Sequence, residues 1–362
     1  MKINLKKEFF GDREFELLTH GDMKVTAFKY STGIEAVKVE NNRGYFIILP
    51  FKGQQIWRAE FDNQPLVMKT SFEEPVPTLE YLKTYGAFVV HCGICAFGAP
   101  SSPEDTHPQH GEIPNVEYQK AYIVADEDEN GKFVSVCGEY DYNVSFVKHY
   151  VFNPQCKLYE NGTVLYIDSE LSNMRSTPME YMYLCHINFR PVDGSKLVYS
   201  SKYDKEHIKV FKIIGDNVPE EQAKKLADYM DKVQENPAIH HDVGAPEQYY
   251  DPEICFAVKY MGDENGFAHT MQKLPDGRAF YVAHDVNTMP LSIRWISRGP
   301  DEDSMGMVLP ATAEHLGYTK AKKAGMVKTI DAKGKITFSV VAGLIEKEQA
   351  VAVENKINEI TK

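Results

Sequence analysis

Nothing in this sequence approaches the ~18 consecutive apolar residues of a bilayer-spanning helix. The opening Met1-Lys2-Ile3-Asn4-Leu5-Lys6-Lys7-Glu8 also lacks the apolar core of a secretory signal. Both absences lead to a cytoplasmic expectation with no membrane partner. Positive charge is scarce: 40 Lys and Arg face 52 Asp and Glu, a formal net charge of -12. Such a surface repels phosphate backbones, so no nucleic-acid partner is expected. The six cysteines, at 92, 95, 137, 156, 185 and 255, are spread over 362 residues and form no disulfide framework. Cys185 lies inside an apolar strand pattern and reads as a small core hydrophobe. Tryptophan occurs only at 57 and 295. No repeat, low-complexity tract or linker interrupts the chain, so a single domain over 1–362 is expected.

Aromatics, by contrast, make up 12% of the chain, with 21 Tyr and 19 Phe. That composition leans toward strands, where aromatic and β-branched side chains pack well. Residues 335–345 alternate Ile336, Phe338, Val340, Ala342 and Leu344 against polar or small neighbours, the period of a half-buried strand. Residues 143–152 alternate in the same way. Asn130-Gly131, Asn161-Gly162, Asp193-Gly194, Asn265-Gly266 and Asp276-Gly277 supply turn signals between strand-like runs. The fold class expected is all-β, a sandwich or barrel. One helical excursion is predicted over 219–234, with Pro and two Glu at its start and Ala223, Leu226, Ala227 and Met230 as its apolar stripe. A second short helix is predicted over 78–85.

Three segments could carry chemistry. His107-Pro108-Gln109-His110-Gly111 follows a Pro/Ser/Gly-rich loop, and a His-Gly pair can set an imidazole over a pocket while the glycine lets backbone approach. Tyr183 to Phe189 reads as a strand, which puts His186 and Asn188 on one face and Tyr183, Cys185, Ile187 and Phe189 on the other. His240-His241-Asp242 to Glu247 offers two carboxylates near a probable strand start. Each has a bland alternative: an incidental surface histidine, a core histidine satisfied by a neighbour, or a solvated loop. Cys92-Gly93-Ile94-Cys95 has metal-ligand spacing, with His91, His107 and His110 as further donors. A second matched ligand pair is missing and Cys92 sits in an apolar run, so no metal and no cofactor is expected.

Taken in order, these segments resemble the aldose 1-epimerase (galactose mutarotase) superfamily, in particular its little-characterised bacterial branch. The resemblance rests on the LPFKGQQI run beginning at Leu49, on His110-Gly111, and on Asn161 to Asn173 followed by His186 to Phe189. It rests also on Glu247-Gln248-Tyr249-Tyr250 and on Gly306-Met307-Val308-Leu309-Pro310-Ala311-Thr312. It runs from about residue 25 to 345.

The resemblance implies a galactose-mutarotase-like β-supersandwich and a carbohydrate-binding isomerase that interconverts sugar anomers by His/carboxylate acid-base catalysis. A small-molecule sugar is the partner it implies. His186 would be the acid, His110 would hold the ring-oxygen side, and Glu247 would contact sugar hydroxyls. Asn188, His107, Asp242 and Trp295 complete the expected substrate contacts, Trp295 by stacking on a sugar face. One position departs from the pattern. The residue before the proline of the last motif is the family's glutamate base, and here it is Leu309, which accepts no proton. Glu247, Asp242, Asp285 and Glu314 are the possible stand-ins, with Glu247 preferred. Glu314 lies five positions from Leu309, ~16 Å along an extended chain. The alternative function is a non-catalytic or repurposed sugar-binding protein.

Overall fold

The computed structural model describes residues 1–362. Strand patterns dominate it as the alternation predicts, and they assemble into two antiparallel sheets. The smaller has nine strands and carries, from its centre outward, Val164–Asn173, Lys335–Ile345 and Ala279–Asp285. The larger has thirteen, including the run Ile208–Phe211, Ile254–Lys259, Leu291–Arg298, Asp303–Ala311, Met179–Ile187 and Val89–Ile94. Side chains from both sheets meet in one cluster of 68 buried residues. A second cluster of 19 lies on the other face of the larger sheet.

The two-residue period decides which cluster each side chain joins. In Met179–Ile187, Tyr181, Tyr183, Cys185 and Ile187 enter the large core, whereas Met182 and Leu184 enter the second cluster. His186 alternates with them and shares the Leu184 face. This outer face of the larger sheet is where the candidate site forms.

The helix Glu220–Glu235 forms where the Pro219 start and apolar stripe place it. It buries Leu226, Tyr229, Met230 and Val233, and Gln234 Oε1 accepts from the Val210 amide at 2.9 Å, so the helix covers the edge strand Ile208–Phe211.

Three expectations need correction. Residues 143–152 do not form one strand: Gly131–Val144 and Lys148–Tyr159 are the arms of a hairpin. Phe146 stands at its tip, 97% exposed with a φ of 68°, so the alternation ran through a turn. The helix expected over 78–85 is a single 3-10 turn, Tyr81–Thr84. Two further helices exist, Gly317–Lys323 and Lys347–Ile360. The last has a capping box between Glu346 and Gln349 and packs Ala350 and Ile357 on Val198, Met271, Ala279 and Ile345. Its Val and Ile content, following a strand without a break, hides it from propensity alone. No helix is long and apolar enough to cross a membrane.

Candidate active site

Sheet register builds the floor. Phe211 pairs with Cys255, Cys255 with Trp295, Ile293 with Leu309, and Leu184 with Ala311. Neighbouring strands thus deliver Phe211, Cys255, Ile293, Trp295, Leu309, Leu184 and His186 to one cavity of about 250 Å³. Ile293 and Trp295, two positions apart on one strand, both face it by the ordinary alternation of a strand. Loops form the walls: Tyr81, Leu82 and Tyr85 from the 3-10 segment, Gln109 and His110 from the His-Gly loop, and His315 and Leu316 beyond the Leu309 strand. The cavity lies just below the ~300–1,000 Å³ usual for small-molecule clefts, and its mostly apolar lining with a few polar groups is typical of them.

The His-Gly loop is fixed by backbone contact. His110 adopts a φ of 60°; its amide donates to Gly98 O and its carbonyl accepts from the Gly93 amide, each at 3.0 Å. Gly111, with a φ of 88°, lies so close that a Cβ there would stand 2.2 Å from Ala96 O and 2.3 Å from Gly93 O. Only glycine permits both the conformation and the approach. Glu112 then clamps the loop, accepting from the amides of Ile94 (3.1 Å) and Cys95 (3.0 Å) and from the Tyr150 hydroxyl (2.6 Å).

The result is an imidazole pair. The rings of His110 and His186 meet edge-to-face at 5.5 Å. Tyr81 lies 4.5 Å from His110, and Tyr85 and Trp295 lie 5.9 and 5.6 Å from His186. His315 packs edge-on to Phe211 at 4.6 Å. In all three histidines Nδ1 is enclosed and has no hydrogen-bond partner, although buried polar atoms are generally paired. Burial pushes His186 down to about 3 and His315 down to about 4. Burial, reinforced by the neighbouring histidines, holds His110 well below the ordinary imidazole range. All three are neutral at pH 7 in the structure as it stands. One carboxylate reaches the cavity, that of Glu253, at the exposed rim, where it accepts from the Trp295 indole N–H.

The residues named from sequence fall in different places. His110, His186 and Trp295 come together in the cavity. Asn188 is fully buried beside it; its amide donates to Ala87 O at 2.9 Å and its Oδ1 accepts from the Tyr85 hydroxyl at 3.2 Å, so it fixes a wall residue from behind. His107 lines a separate cleft of about 600 Å³ with Cys95, Lys148, Arg175 and Glu180. Glu247 does not reach the cavity. It is exposed on a turn closed by Gln248, whose side chain bonds the Gly244 amide at 3.0 Å and Ile239 O at 3.3 Å. Asp242 points to solvent 3.9 Å from Lys196, Asp285 caps its own turn on the Asn287 amide, and Glu314 pairs with Lys209. Leu309, the position of the expected base, is 1% exposed and lines the cavity as leucine.

Glu253, His315, Tyr81 and Tyr85 were not found from sequence. His315 carries the one available signal, six positions beyond Leu309; Glu253 has none, because its place depends on strand pairing. Cys92 and Cys95 are free thiols, both pushed up by burial, Cys95 to about 12. No group of three or more His, Cys, Asp or Glu is arranged to hold a metal ion.

Comparison with known proteins places this architecture. The model of a family described as a domain of unknown function (DUF4432) matches residues 31–343. No curated protein sequence matches. Among solved structures, a protein of Klebsiella pneumoniae described as a "putative aldose 1-epimerase" superposes with a TM-score of 0.77 at 16% identity, covering 97% of this chain and 92% of that one. A galactose mutarotase-like protein of Clostridium acetobutylicum gives 0.57 at 14% identity, covering 89% and 98%. The Slr1438 protein of Synechocystis gives 0.55 at 13%, covering 86% and 95%. The fold is the galactose mutarotase-like sandwich.

Proposed function

We propose that this chain, which belongs to the DUF4432 family, holds a free sugar in the cavity over the larger sheet and interconverts its anomers. The observation that carries the reading is the His110–His186 pair: two rings from distant segments, edge-to-face at 5.5 Å, each with an enclosed Nδ1 that lacks a partner. Sugar hydroxyls and the ring oxygen are hydrogen-bonding partners for the ring nitrogens that open on the cavity. Trp295 and the two tyrosines offer faces on which a pyranose C–H surface stacks.

In this reading Glu253, rather than Glu247, is the base. It takes the proton of the anomeric hydroxyl while His186, as imidazolium, protonates the ring oxygen. The ring C–O bond breaks, the aldehyde rotates, and closure on the other face returns both protons. His110 positions the ring-oxygen side. Each correctly placed acid or base contributes ~10²–10⁴-fold.

Optical rotation tests this. A freshly dissolved α-sugar should relax faster with the native chain than in buffer. His186→Ala and Glu253→Gln should each lose about 10²-fold or more of that rate, whereas Glu247→Gln should keep it. Decay at the buffer rate, with sugars that calorimetry finds bound, would refute turnover. A second reading then takes over, favoured by Leu309: a protein that binds sugar without converting it. A gain of mutarotation in Leu309→Glu over an inactive parent would establish that second reading. The risk in that variant is an unpaired buried charge.

A further inference from the structure

The chemistry of the lining speaks to which sugar fits. Not one of the 18 residues around the cavity is Lys or Arg, and 12 are hydrophobic. The only charge is the Glu253 carboxylate at the rim. A phosphate or uronate entering here would lose its water beside like charge and gain no cation, an arrangement that strongly disfavours binding.

The floor sharpens the point. Ile293 and Leu309 are direct cross-strand partners, and Leu184 lies on the neighbouring strand, one pair along. All three are buried members of the second hydrophobic cluster, and all three line the cavity. A sugar hydroxyl pressed on this patch therefore meets neither donor nor acceptor and leaves its own hydrogen bonds unmade. A methyl group meets only apolar surface. Six lining residues, Ser101, Gln109, His110, His186, Glu253 and His315, carry polar side chains, and none of them belongs to this patch.

We propose that the cavity is selective for a neutral sugar with a methyl terminus, a 6-deoxyhexose, with the methyl on the Leu184–Ile293–Leu309 patch. This rests on the sugar reading above and names the substrate class of the same site.

The test separates selectivity from turnover. Calorimetric titration of the native chain with L-fucose, L-rhamnose and 6-deoxy-D-glucose is compared with L-galactose, L-mannose and D-glucose, and with D-glucose 6-phosphate and D-galacturonate. Rotation decay is followed in parallel. At least one deoxy sugar should bind about tenfold or more tightly than its 6-hydroxy parent, and the anionic sugars should not compete. Leu309→Asn, which sets an amide in the patch at nearly constant size, should narrow that ratio; circular dichroism and a urea transition confirm that it folds. The same ranking without any rotation change would keep the selectivity and remove the isomerase. Parents bound as well as deoxy sugars, tighter binding of an anionic sugar, or no binding at all would each overturn the proposal.

Discussion

His186 serves two requirements that oppose each other. To protonate a ring oxygen it must carry charge, yet enclosure by Tyr85, Trp295 and His110 holds it down to about 3. Desolvation favours the neutral imidazole. The imidazolium is therefore scarce at neutral pH, and its population grows as protons become available. If it is the acid, the mutarotation rate should rise as pH falls from 8 to 6.5, approaching tenfold per pH unit while the group stays far above its folded value. A rate that is flat over this interval, measured by polarimetry in buffers of equal ionic strength, would assign the proton to another group. At the same scale Asn188 acts at one remove. Its bond from the Tyr85 hydroxyl sets the wall against which His186 packs.

At the scale of elements, the His-Gly loop is the part whose geometry is most constrained. Gly111 presses on the carbonyls of Gly93 and Ala96, and His110 donates to Gly98 O from a left-handed conformation. Gly111→Ala would force the loop off Val89–Ile94 or strain it in place, at a cost of ~1–3 kcal/mol. The expected outcome is a lower urea midpoint together with weakened sugar binding, since His110 moves with the loop. Gly11→Ala, where a Cβ meets nothing within 4 Å, serves as the control and should leave both unchanged. A Gly111→Ala protein with native stability and native binding would show that the close approach does not hold the loop.

At the scale of the whole molecule, buried neutral histidines are the dominant acid sensitivity. Burial lowers His91 and His315 to about 4 and His186, His241 and His284 to about 3. In the unfolded chain each titrates near 6.5. Their folded values are depressed, so the unfolded state binds protons that the folded state refuses. The stability these groups protect is fully present above about pH 6.5 and is lost as pH falls toward 4. Each contributes a slope of up to ~1.4 kcal/mol per pH unit in that window. Asp263, held well below the usual carboxylate range despite burial by Lys356, backbone amides and His269, adds a loss in the same direction only at lower pH. Urea midpoints at constant salt should therefore fall between pH 6.5 and 4.5. A midpoint unchanged over that range would mean that these rings take up protons in the folded state.

Period-2 patterns determined much of this fold without help. They separated His186 and Leu184 from Tyr183, Cys185 and Ile187 onto opposite sheet faces and set the strand Lys335–Ile345, while Asn-Gly pairs marked the turns at Asn130-Gly131 and Asn161-Gly162. Such patterns are local consequences of backbone geometry, so a single chain segment expresses them. The pairing of His110 with His186 was legible only through the order of motifs. Which carboxylate reaches the cavity was not legible at all. Glu247 was excluded by a turn that Gln248 closes, and Glu253 was admitted by the register that sets Cys255 beside Trp295. Both depend on contacts between residues far apart in sequence, and no local spacing encodes them. The hairpin tip at Phe146 and the helix Lys347–Ile360 belong with these, since a continuous alternation hid the first and packing on the smaller sheet stabilises the second.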